Sequence, residues 1–139
     1  MTTLARTVLA CLFTCGLSSH LGVAYGGECS RPARLMGRVE LFFGTTLADG
    51  QPLAEQDWQK FVDEEVTPRF SEGLTELAVR GQWRRPDGVI THEPSRVLLI
   101  WYSPATHTDA DIDAIRAAYK TRFKQLSVMR VDGVNCVSF

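Results

Sequence analysis

The sequence holds few of the residue patterns that announce a chemistry. It has no glycine-rich phosphate loop, no paired-cysteine motif and no histidine pair at metal-ligand spacing. His92 and His107 lie in segments unrelated to each other and to any cysteine pair, so neither a metal site nor a cofactor is expected. No strongly basic segment stands out and the formal net charge is -1, which gives nucleic-acid binding no footing. No apolar run reaches the roughly 20 residues that a bilayer-spanning helix needs. Hydrophobic residues at 45% and charged residues at 22% exclude a disordered composition, and 139 residues favour one domain.

What is there begins with a leader. "MTTLARTVLACLFTCGLSSHLGVAYGG" carries one positive charge, Arg6, and then none of either sign until Glu28. Thr7 to Leu17 is apolar with small polar interruptions, and Ala24-Tyr25-Gly26 puts small residues where a signal peptidase reads. Residues 1–26 therefore read as a secretory signal peptide and 27–139 as a single exported domain, periplasmic or secreted, with no membrane span after cleavage. A lipoprotein fits poorly, because Thr14 precedes Cys15 and the apolar run before Cys11 is too short. Cleavage leaves two of the 4 cysteines, Cys29 and Cys136. In an oxidising compartment such a pair reads as a disulfide, and otherwise as two free thiols.

Periodicity divides the remaining chain into six elements. Arg38 to Phe43 alternates as a strand, with Val39, Leu41 and Phe43 on one face and Arg38, Glu40 and Phe42 on the other. Ala54 to Val66 has helical spacing, with Trp58, Phe61, Val62, Glu65 and Val66 on one stripe; Trp58 is expected as a core anchor and Pro68 as the stop. Leu74 to Arg84 is strand-like, and a turn at Arg85–Gly88 leads into Val89–His92 and Arg96–Tyr102. Pro94 between them predicts a bulge or an edge break. Thr108 to Phe123 is the second helix, capped by Thr108 with Asp111, and its buried stripe is Ile112, Ile115, Tyr119 and Phe123. Ser127 to Asp132 is the last strand.

Strand, helix, strand, strand, helix, strand is the ferredoxin-like α+β order. It predicts a four-stranded antiparallel sheet, the first and third strands central, with both helices on one face. The last strand then lies beside the first, which brings Cys29 close to Cys136. In the chain-entropy model a disulfide closing so long a loop contributes roughly 4 to 5 kcal/mol at most.

The segments "RVELFFG", "DEEVTPRFSEGLTEL", "GQW", "EPSRVLLI" and "YKTRFKQLSVMRVD" together resemble the bacterial domain-of-unknown-function family numbered 3574, from Arg38 to the C-terminus. The resemblance implies a small exported domain and transfers no catalytic residue. One departure is Ala54, where the helix start more often has a capping Ser or Thr.

The sheet face without helices is where a site is sought. If Met129 and Val131 face the helices, Arg130 and Asp132 join Arg38 and Glu40 on the open face. Arg96, and Arg80 with Gln82, then add to a charged cluster. Three readings compete: a solvated face with weak cross-strand ion pairs; a homodimer interface with apolar area from Phe42, Leu98, Ile100 and Tyr102; and a cleft where Arg38, Arg96 or Arg130 binds a carboxylate or phosphate, with Glu40 as a base if its pKa is raised. The functional expectation is a non-catalytic module that binds a small ligand or a protein partner. The alternative is a small enzyme of the dimeric α+β-barrel type. His92, Glu93 and Ser95 have the residue types of a hydrolase, but no nucleophile elbow surrounds Ser95 and strand alternation separates neighbours. Glu93 and Ser95 read instead as residues that hold the bulge.

Overall fold

The structure, a computed structural model, describes residues 28–84, 87–105 and 109–139. The leader expected over 1–26, the first two residues of the Arg85–Gly88 turn and the expected cap Thr108 lie outside the described residues. The order is β1 (Arg34–Gly44), α1 (Glu55–Phe61), a π-helical segment (Val62–Val66), β2 (Thr75–Arg84), β3 (Ile90–Tyr102), α2 (Asp109–Phe123) and β4 (Met129–Val137). The four strands form one sheet in the order β2-β3-β1-β4, antiparallel throughout. The ferredoxin-like α+β architecture is the one that the element order predicts.

Local chemistry explains where the elements stop. Ala54 enters α1 from extended backbone but has no side chain to cap it; Glu55 and Asp57 in the first turn and Lys60 in the last complement the helix dipole instead. The helix then widens: the Thr67 amide donates to the Val62 carbonyl, five residues back, at 2.9 Å. Pro68 falls in the last turn, which closes with the Phe70 amide donating to the Val66 carbonyl at 2.9 Å. Glu65 and Arg69 form an ion pair one turn apart, at 3.2 Å.

Pro94 does not break β3. Register runs unbroken through it, with Pro94 opposite Arg80, so the expected bulge is absent. A residue's N–H and C=O point to the same side of a strand. The Pro94 carbonyl accepts from the Thr45 amide at 3.1 Å and from Thr45 Oγ1 at 2.9 Å. Its missing N–H therefore faces past the end of β1, where no ladder bond is lost.

The core lies between the sheet and the two helices. Val39, Leu41 and Phe43 of β1 are fully buried, with Leu98 and Ile100 of β3, Trp58 and Phe61 of α1, Val62 and Val66 after it, and Ile112, Ile115 and Tyr119 of α2. Phe43, Trp58, Phe61 and Tyr119 stack edge to face, with Phe43 and Tyr119 centroids 4.6 Å apart. The Tyr119 hydroxyl donates to the Gly44 carbonyl at 2.8 Å. Burial pushes that hydroxyl's pKa well up, and the charge of Glu93 adds to the effect. Cys29 and Cys136 are joined by a disulfide with 5.5 Å between their Cα atoms. It ties the chain before β1 to the end of β4.

Candidate functional site

Register fixes which side chains share the open face. Arg38 stands between Trp101 and Gly133, Glu40 between Leu99 and Val131, and Phe42 between Val97 and Met129. On β2, Thr75, Leu77, Val79, Gly81 and Trp83 continue these rows through their partners Leu99, Val97, Ser95, Glu93 and Thr91. The face is mostly apolar, with one ion pair at its centre.

That pair is well seated. Arg38 Nε lies 3.2 Å from Glu40 Oε1, both side chains being about a third exposed or less. The contact is an ion pair without hydrogen-bond geometry, since Arg38 Nε is buried with no hydrogen-bond partner. The guanidinium sits 5.8 Å from the Trp101 ring centroid. On its other side Gly133 makes room for it: a Cβ there would meet Arg38 Nη2 at 3.3 Å.

The other three candidates lie on the helix side, against expectation. Arg130 and Asp132 pair in register with Leu41 and Val39, both core residues, so they share the helix-covered side of the sheet. Met129 and Val131 take the open face instead, 54% and 38% exposed. The physical reason is the start of α2, which presents Asp109 and Asp113 to the edge strand. Arg130 bonds Asp132 through Nε at 2.9 Å, reaches Asp109 through Nη2 and lies 3.7 Å from Asp113. The hydrogen bond to Asp132, and then that to Asp109, hold the guanidinium charged well above its ordinary range, against an opposing desolvation. Arg96 is placed opposite Phe43, also on the helix side. It bridges Glu76 of β2 and Glu55 of α1 and lies 5.6 Å from the Trp58 ring centroid. Glu55 has its pKa lowered, first by the hydrogen bond from Gln59 and further by Arg96. Both arginines already have their carboxylates.

Further placements differ in the same way. Leu98 and Ile100, expected to add apolar area to the open face, are core residues, and Tyr102 packs against the core beside Phe70. Val97, Leu99 and Trp101 take their places. Arg80 and Gln82 belong by register to the helix side of β2. His92 is separated from Glu93 and Ser95, which share the open face. The signal for Val97, Leu99 and Trp101 was present as the all-apolar run of β3, which marks burial of both faces without saying which residues take which.

A cavity of about 640 Å³ lies at the β2–β3 end of the open face, and another of about 530 Å³ at the opposite end, beside Arg34, Trp101 and Phe139. Among the described residues no group of three His, Cys, Asp or Glu side chains is arranged to hold a metal ion. No helix among them is long and apolar enough to cross a membrane.

A solved structure shares this fold at low identity. A phage SAM lyase in complex with S-methyl-5'-thioadenosine is similar with a TM-score of 0.56 at 16% identity, over 75% of this chain and 90% of that one. CutA from Synechococcus elongatus PCC7942 is similar with a TM-score of 0.44 at 13% identity, over 75% of this chain and 82% of that one. No curated protein matches the chain. The family model described as "Protein of unknown function (DUF3574)" matches residues 38–139, and the chain belongs to that family.

Proposed function

We propose that the protein is a non-catalytic interaction module, exported to the periplasm or beyond, whose open sheet face is covered by a second copy of the same chain. One observation carries this reading: both edge strands turn most of their large apolar residues away from the helices, Val134 of β4, in register with Gly37, being the exception. Leu77, Val79 and Trp83 of β2, and Met129 and Val131 of β4, project on the uncovered side, while Arg80, Arg130 and Asp132 project on the covered one. An antiparallel sheet with one face in water sorts its residues the other way. Leu77 at 47% and Trp83 at 43% exposure are apolar area awaiting a partner.

The size fits such a contact. Four strands at about 4.8 Å spacing, with the central strand β1 of 11 residues at about 3.3 Å, make a face of about 19 by 36 Å. Pairing two such faces covers about 1,400 Å² in total, within the roughly 1,200–2,000 Å² of specific interfaces. The charges are self-complementary: with a two-fold axis over β1, Arg38 of one copy meets Glu40 of the other. The disulfide at the chain ends supports an oxidising compartment.

Sedimentation equilibrium of the wild type, Leu77→Glu and Val131→Glu tests the reading. The wild type is expected at twice the monomer mass, with an unfolding midpoint that rises with protein concentration, and both variants at the monomer mass, still folded and with a midpoint independent of concentration. A trimer keeps self-coverage and removes the two-fold. A monomeric wild type at 100 μM concentration or above removes the proposal.

A further inference from the structure

The cavity at the β2–β3 end of the open face has a polar floor and apolar walls. Two glycines open it. A Cβ on Gly44 would meet the Glu93 carboxylate at 3.1 Å, and one on Gly81 would meet Ser95 Oγ at 3.0 Å. The absence of side chains on β1 and β2 at these points lets Glu93 and Ser95 of β3 lie across the neighbouring strands. Phe42, Val79, Trp83 and Met129 line the same space. Its volume of about 640 Å³ is that of a small-molecule pocket.

Charge decides what such a pocket holds. Glu93 is half-buried, and its carboxylate has no hydrogen-bond or ion-pair partner among the described residues. Arg80 also lines the cavity but is exposed and belongs by register to the other side of β2. The charge on the floor is therefore negative. A carboxylate partly withdrawn from water attracts a cation more strongly than one in bulk solvent. Trp83 and Phe42 add aromatic surface that suits an ammonium group as well as an apolar body.

We propose that this cavity is a binding site for an organic amine: an ammonium group held by Glu93 and Ser95, carried on an apolar or aromatic body packed against Phe42, Trp83 and Met129. One copy supplies every group, so the site does not depend on the pairing proposed above, although Val79, Trp83 and Met129 are shared with the face that pairing would cover. It also gives Glu93 and Ser95 a use other than holding a bulge that the strand does not have.

The test is an NMR titration of the disulfide-bonded protein with 2-phenylethylammonium and with 3-phenylpropionate, a carboxylate of matching size. The ammonium is expected to shift the Trp83 indole N–H signal saturably and to bind at least tenfold tighter than the carboxylate. Glu93→Gln is expected to weaken it at least tenfold, and Trp83→Leu, on an exposed edge strand, at least threefold. Asp63→Asn, which removes a remote exposed carboxylate, leaves it unchanged. Equal affinity for the two probes, no weakening in either site variant, or equal weakening in Asp63→Asn overturns the proposal. A monomer that binds the ammonium keeps this site and removes the pairing proposed above, while a dimer that fails to bind it does the reverse.

Discussion

The two faces of the sheet are made from alternate residues of the same four strands, and they sort polarity differently from centre to edge. On the helix-covered face the centre is dry: Val39, Leu41, Phe43, Leu98 and Ile100 meet two helices. Its edges are charged, because the helix margins carry carboxylates that Arg96 and Arg130 reach. On the uncovered face the centre holds an ion pair, Arg38 with Glu40, Glu93 lies toward one end, and the edge strands are largely apolar. Polar edges around a dry centre are what a covered face shows in a single chain. Apolar edges around one self-complementary pair are what a face shows when its cover comes from elsewhere.

The sharpest way to break that contrast is to empty one position on each face. Phe43→Ala removes a fully buried ring from the aromatic cluster and should cost about 3–5 kcal/mol in urea unfolding. Leu77→Ala, on the open face, should cost the monomer under about 1 kcal/mol and instead weaken self-association. Equal losses from both would mean that the open face is already filled within one chain. Next in size is Arg96→Ala. It leaves the half-buried Glu76 without its partner and should cost about 1.5–3 kcal/mol, measured the same way, without changing the mass in solution.

Tyr119 sharpens the comparison through pH. Its folded pKa lies above the ordinary value of about 10, so the folded state keeps a proton that the unfolded chain loses. The contribution is complete below about pH 10 and is lost as pH rises toward the folded pKa. Tyr119→Phe should therefore be less stable than wild type near neutrality, where it lacks the bond to Gly44, and the gap should narrow between about pH 9 and 11. A gap that widens there would contradict the burial of this hydroxyl. The smallest effect belongs to the helix side alone. Ala54→Asp supplies the missing cap of α1 and should raise the unfolding free energy by about 0.5–1 kcal/mol, with self-association unchanged.

How far the sequence carried the structure depends on the strand. In β1 the alternation of Val39, Leu41 and Phe43 with Arg38, Glu40 and Phe42 was unambiguous, and the faces are as read. The helix stripes were equally plain, because each pairs large apolar residues at 3.6-residue spacing. The edge strands misled. On β4 the apolar set Met129 and Val131 was assigned to the helix side, as burial within one chain requires. That rule fails when a second molecule can cover the other face, and when Asp109 and Asp113 of α2 are placed to neutralise Arg130. The periodicity of β4 contains the alternation but not its sign. Pro94 misled for a related reason: whether a proline breaks a ladder depends on where the neighbouring strand ends, which is a property of β1.

The most direct test of the account uses the central pair. Arg38→Glu makes the open face doubly acidic, and Glu40→Arg makes it doubly basic. If two copies meet over β1, each variant alone should sediment as a monomer, and an equimolar mixture should sediment as a heterodimer whose formation weakens with added salt. Two variants that each keep the wild-type mass, or a mixture that stays monomeric while the wild type is dimeric, would contradict the pairing of open faces.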